Sequence, residues 1–106
     1  MRLKLNTTKT TFMVSKAAEP KMELGNRQQK VDRQTQQPQW VVELFALDES
    51  GGEVIRVTVT GIEPKVTQGQ PVNVAELEAV PWSNNGRSGV AYRAKSITPT
   101  TQPKAA

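Results

Sequence analysis

The chain has 106 residues, enough for one small domain with a single core. It contains no cysteine and no histidine, which removes disulfides, thiolate metal sites, the usual general base and the commonest metal ligand. The formal net charge is +4 and unevenly laid out: residues 1–18 and 87–106 carry four cations each and no acid, while residues 41–86 hold seven acids against two cations. Basic ends around an acidic middle suit a polyanionic partner if the ends meet in space; otherwise they are a solvated surface with basic tails.

The first fourteen residues, "MRLKLNTTKTTFMV", hold no apolar run of signal-peptide length, and no segment is long and apolar enough to cross a bilayer. The expectation is a cytoplasmic protein with no membrane partner. Residues 10–16, "TTFMVSK", read as a first strand, with 21–24 as its candidate extension. Residues 26–39, "NRQQKVDRQTQQPQ", read as a mobile polar loop that holds Arg27, Lys30 and Arg33 without obvious partners. Strands follow at 39–48, 53–60, 71–82 and 88–97, with a crossover over 62–70. Residues 99–106 read as a disordered tail, which leaves one domain over residues 1–98. No window of useful length repeats its apolar residues every 3.6 positions, so little or no helix is expected.

Two hairpins can be registered from the letters. Pairing Glu49 with Gly52 across Ser50-Gly51 puts Trp40, Val42, Leu44 and Ala46 on one apolar face with Ile55, Val57 and Val59. Phe45 and Arg56 then lie opposite each other on the outer face. Asn85-Gly86 is a strong type I′ turn signal. It sets Glu78 against Arg93 and Glu76 against Lys95, and puts Leu77, Ala79 and Pro81 with Ala94, Tyr92 and Val90 on a second apolar face. Trp82 and Val80 fall on the other face. Val72 and Val74 have the wrong parity for this core, which predicts a bulge near Ala75. Five strands in two hairpins with a short crossover describe an all-β, five-stranded Greek-key barrel, with the oligonucleotide-binding (OB) fold as the leading candidate. A β-sandwich fragment or an SH3-like barrel is the runner-up.

The stretch from Arg56 to Ile97 resembles the C-terminal half of single-stranded-DNA-binding OB proteins. In those proteins a strand resembling "RVTVTG" leads to a turn and strand, for which Gln68-Gly69-Gln70-Pro71-Val72-Asn73-Val74 stands in here. More closely, residues 39–98 resemble small proteins of actinobacterial conjugative plasmids and integrative elements labelled plasmid replication, integration and excision activators. The matching residues are Gln39-Trp40-Val41-Val42, Val57-Thr58-Val59, Pro81-Trp82, Gly86-Arg87 and Ala91-Tyr92-Arg93-Ala94. That resemblance implies DNA work on a mobile element: plasmid replication, integration or conjugation.

Single-strand binders stack bases on aromatic rings and track the backbone with cations. Of five aromatics, Trp40 and Tyr92 fall on core faces, Phe12 cannot be registered, and Phe45 and Trp82 face outward. The candidate nucleic-acid-binding set is therefore Trp82, Phe45, Arg56, Arg87, Arg93, Lys95, Arg27, Lys30 and Arg33. Arg93 and Lys95 are shared with Glu78 and Glu76 in this reading. Without histidine or cysteine to activate a hydroxyl, and without a glycine-rich phosphate loop, no enzyme, cofactor or metal is expected. The expected function is non-catalytic binding of single-stranded DNA, with RNA as an alternative strand. The competing reading is a barrel that docks on a replication initiator or recombinase without touching nucleic acid. A duplex-binding excision factor is disfavoured by the lack of a recognition helix. An open edge strand would also let a second copy pair, giving a homo-oligomer.

Overall fold

The computed structural model of the chain describes residues 3–4, 9–22 and 28–100. Arg27 lies outside the described residues, as do 101–106 of the expected tail. Among the described residues there is no helix. The strands are β1 (Leu3–Lys4), β2 (Thr11–Pro20), β3 (Gln39–Asp48), β4 (Gly51–Thr60), β5 (Pro71–Ala75), β6 (Glu78–Asn84), β7 (Arg87–Ala94) and β8 (Ser96–Pro99). They form one mixed sheet in the order β1-β6-β7-β4-β3-β2-β5-β8. This hydrogen-bonded order is open, with β1 and β8 at its edges, rather than a closed ring of five strands. Among the described residues, the only parallel neighbours are β4 and β7.

β2, β3 and β4 make an antiparallel meander. Its strands are rich in Val, Ile, Thr and Phe, which suit a pleated half-buried surface. Val42, Leu44, Val57 and Val59 are buried on one face, as the alternation requires. The register differs from expectation by two residues: Asp48 pairs with Gly51, and Glu49-Ser50 form the turn. The cause is the Asp48 carboxylate, which accepts hydrogen bonds from the Ser50 amide (2.8 Å) and hydroxyl (2.6 Å). Gly51, at φ 124°, then opens the return strand. An even slip keeps every side chain on its face, so the core reading survives. The cross-strand pairs do not: Arg56 opposes Glu43, and Phe45 opposes Val54.

The second hairpin takes the expected register, from Asn84↔Arg87 to Glu78↔Arg93. Asn85 and Gly86 both have positive φ, 52° and 77°, as a type I′ turn needs. The expected strand 71–82 is broken at Glu76, which sits at φ 51°. No extra residue is inserted. Ala75 pairs with Ser96 in the same continuous register that sets Glu78 against Arg93. Both strands therefore bend together at Glu76-Leu77 and Lys95, instead of one strand bulging. The bend brings Val72 and Ile97 inward on one side of it and Leu77, Ala79 and Ala94 inward on the other. Pro81 and Val90 are exposed, because the hairpin tip reaches beyond the core.

The core joins Phe12 and Val14 of β2 to the inward residues of β3 and β4, with Val72, Leu77, Ala94 and Ile97. Val66, from the crossover, closes one end. Trp40 is half-buried and donates its Nε1–H to the Gly61 carbonyl at 2.9 Å. β2 runs past its expected end to Pro20, with register shifts between Val14 and Lys16 and between Lys16 and Glu19. Of the expected extension over 21–24, Met22 makes an isolated bridge to Gln29 rather than continuing the strand, and residues 23–24 lie outside the described residues.

Candidate nucleic-acid interface

Outward-facing residues of β4 and β7 alternate with the core. Thr58 and Arg93 are partners in the parallel register, and Arg56 lies two residues before Thr58 on the same face. The chain leaving β2 crosses above them. Lys21 donates from its ammonium to the Thr58 hydroxyl at 3.0 Å. Its own amide is held by the Gln39 carbonyl (3.0 Å), and its carbonyl accepts from the Lys30 amide. Farther along this excursion, Val31 bridges to Pro38, and Asp32 accepts from the Thr35 hydroxyl at 2.9 Å. Residues 28–39 are thus folded back beside β3, and this brings Lys30 and Arg33 to the same side of the sheet as Arg56 and Arg93.

Two confluent clefts of about 520 Å³ each result. One runs over Arg56 toward Trp82 and Val90; the other runs past Lys30 and Arg33 beside Arg93. They share Lys21, Thr58, Ala91 and Tyr92. Five cations therefore border one continuous groove: Lys21, Lys30, Arg33, Arg56 and Arg93. None forms an ion pair with a described acid. The nearby acids are occupied elsewhere. Glu19 pairs with Lys16 at 3.4 Å, Glu43 accepts from the Ser15 hydroxyl at 2.9 Å, and Asp32 is turned to Thr35. Burial lowers the Lys21 ammonium below its ordinary pKa, and the charges of Lys30, Arg93 and Arg56 lower it further. The Thr35 hydroxyl holds Asp32 below the usual carboxylate value.

The sequence candidates divide in space. Trp82, Arg56, Arg93, Lys30 and Arg33 line the groove. Arg87 sits at the hairpin tip opposite Asn84, outside the groove lining. Lys95 lies at the bend, in an exposed ion pair with Glu76 at 3.7 Å. Glu78 and Arg93 are paired in register but not ionically. Phe45 is at the far end of the meander. It neighbours Met13 and Val54 directly in register, and Leu47 lies beside it. All four are exposed, Phe45 by 39%, and they form an apolar patch separate from the groove.

Each outward ring lies over a strand glycine. Gly89 is the cross-strand partner of Trp82, and a Cβ there would come within 2.7 Å of the indole Cζ2. A Cβ on Gly52 would collide with the tip of the Phe45 ring. Glycine in a strand lets an aromatic side chain settle against the backbone of its neighbour. Trp82 remains 46% exposed. Sequence reasoning missed two groove residues: Tyr92, which its register places on a core face but which lines both clefts, and Lys21. The partner of Lys21, Thr58, is 37 residues away, and no spacing rule connects them.

No protein-family model matches the chain, and no curated protein or solved structure matches it.

Proposed function

We propose that the chain is an OB-like protein that binds single-stranded DNA without catalysis, in the replication or transfer of a plasmid, phage or integrative element. The observation that carries the binding is the groove: five cations along one path, none in an ion pair with a described acid, with a half-exposed indole at its end. The mobile-element setting rests on the sequence resemblance alone. The OB-like reading treats β5 with β6, and β7 with β8, as halves of single bent strands. One half of the bent hairpin pairs with β2 and the other with β4, which supports that reading. In that fold ligands cross the second and third strands between two loops. Here the groove crosses β4, between residues 21–22 and 30–34 on one side and the β6–β7 hairpin on the other.

The test is a fluorescent oligonucleotide titrated at two salt concentrations while tryptophan emission is followed. Saturable, salt-sensitive binding with quenching of Trp82 supports the reading. No binding to single or double strands at low salt refutes it. The apolar patch of Met13, Phe45, Leu47 and Val54 favours a second reading, a barrel that docks on a protein partner. That reading predicts loss of partner capture, with oligonucleotide affinity intact, when Phe45 and Leu47 become polar.

A further inference from the structure

We propose that Lys21, Arg56 and Arg93, grouped around the Thr58 hydroxyl, form a seat for one internucleotide phosphate midway along the groove. This rests on the single-strand reading and adds a defined anchor to it. The anchor is built rather than incidental. The Lys21 ammonium is half-buried and fixed on Thr58 Oγ1 at 3.0 Å. Arg93 flanks Thr58 in the parallel register, and Arg56 shares its face of β4. Three cations converge here and none forms an ion pair with a described acid, although Glu43 stands opposite Arg56, Glu78 stands opposite Arg93, and Asp32 feels the charge of Arg93.

The position selects an internal phosphate. Lys21 and Thr58 belong to both clefts, so the groove continues from the seat toward Trp82 in one direction and toward Lys30 and Arg33 in the other. A strand can pass through; a terminal phosphate has no dead end to occupy. A phosphate here accepts from an ammonium, a hydroxyl and two guanidinium groups, and charge-assisted bonds of this kind are the strong ones. Base contacts then fall to Trp82 on one side, so the seat fixes the register of the strand against the ring.

The experiment combines two titrations of the full chain. Inorganic phosphate is followed by amide and side-chain NMR shifts at Lys21 and Thr58. A short oligothymidylate, with and without a 5′-phosphate, is followed by anisotropy. Lys21→Gln lowers oligonucleotide affinity about tenfold. Lys16→Gln, in an exposed pair with Glu19, lowers it less than about twofold. Thr58→Val, which keeps every charge and a β-branched strand residue, reproduces part of the loss and carries the test if the lysine variant does not fold. The 5′-phosphate changes nothing. Equal small losses in Lys21→Gln and Lys16→Gln overturn the seat while single-strand binding stands. Phosphate shifts at Lys21 without any oligonucleotide binding overturn the internucleotide assignment together with the single-strand reading. Binding that depends on a 5′-phosphate overturns the mid-groove position.

Discussion

Trp82 covers Gly89, the proposed function has it meet a ligand as well, and a pair of substitutions separates the two duties. A tryptophan side chain buries on the order of 200 Å² when enclosed. At 46% exposure Trp82 has lost about half of that to the fold, or ~2 kcal/mol at ~25 cal/mol per Å². Trp82→Ala should therefore lower stability by about 2 kcal/mol, a shift of roughly 10 °C in Tm for a domain this size. If a base stacks on the ring, the same change removes a further ~1–3 kcal/mol of binding, about 5- to 150-fold in Kd. Gly89→Ala keeps the ring but displaces it. The new Cβ would lie 2.7 Å from Cζ2 and 2.9 Å from Cε2, so the indole must lift by roughly 1 Å to restore contact distance. Its affinity should fall by less than that of Trp82→Ala. The assay is oligonucleotide anisotropy, paired with urea unfolding and the two indole N–H resonances. The Trp40 N–H is tied to Gly61 and serves as the internal standard. A Trp82→Ala protein that loses its ~2 kcal/mol of stability but binds within twofold of wild type refutes the stacking argument, and leaves the ring as a cover for the sheet.

Four further outcomes follow from the same geometry. Leu44 is fully buried, so Leu44→Ala should cost about 2–5 kcal/mol in urea unfolding, whereas Leu47→Ala, on the exposed patch, should cost far less. The slope of log Kd against log salt should not exceed about 3.5 in magnitude, since each of the five groove cations contributes ~0.7 on a single strand. The folded pKa of Lys21 lies below its unfolded value of 10.5, so the unfolded chain holds the extra proton between the two. Stability then rises with pH through that window, and pH-dependent unfolding of Lys21→Met should lack the rise. Asp48 is held below 3.8 by the Ser50 hydroxyl, so its contribution is present above that value and lost as pH falls through the folded pKa. NMR titration of Ser50→Ala should show Asp48 moving back toward 3.8.

The β6–β7 hairpin was legible because its signal is local: Asn85-Gly86 imposes a turn with two positive φ angles, and the register follows from it. The β3–β4 hairpin misled for an equally local reason. Two glycines follow Ser50, and the glycines look like the turn; an aspartate hydrogen bond placed it one step earlier. The bend at Glu76 was signalled by the switch in parity between Val74 and Leu77, but its nature was not. A bulge and a paired bend both reverse the inward face, and only the partner strand distinguishes them. The two-residue β1 has no pattern that could have announced it.

The two-residue slip explains why the faces of the first hairpin held while its cross-strand partners changed. Side chains on a strand alternate with period two, so an even error moves partners along the strand without turning any residue inside out. Arg56 therefore stayed on the outer surface, and Trp82 and Arg93 lie there because the second hairpin took its expected register. Phe45 stayed outside too, but its neighbours changed. Instead of facing Arg56 it faces Val54 and Met13, and the pairing that had suggested an aromatic beside a cation dissolved into an apolar patch. Lys21 replaced it as the missing member of the groove, supplied by a segment whose direction is set only after β2 has passed both register shifts. Faces are determined by parity and can be read in one dimension. The convergence of cations depends on where the chain goes after Pro20, which is a property of the assembled sheet.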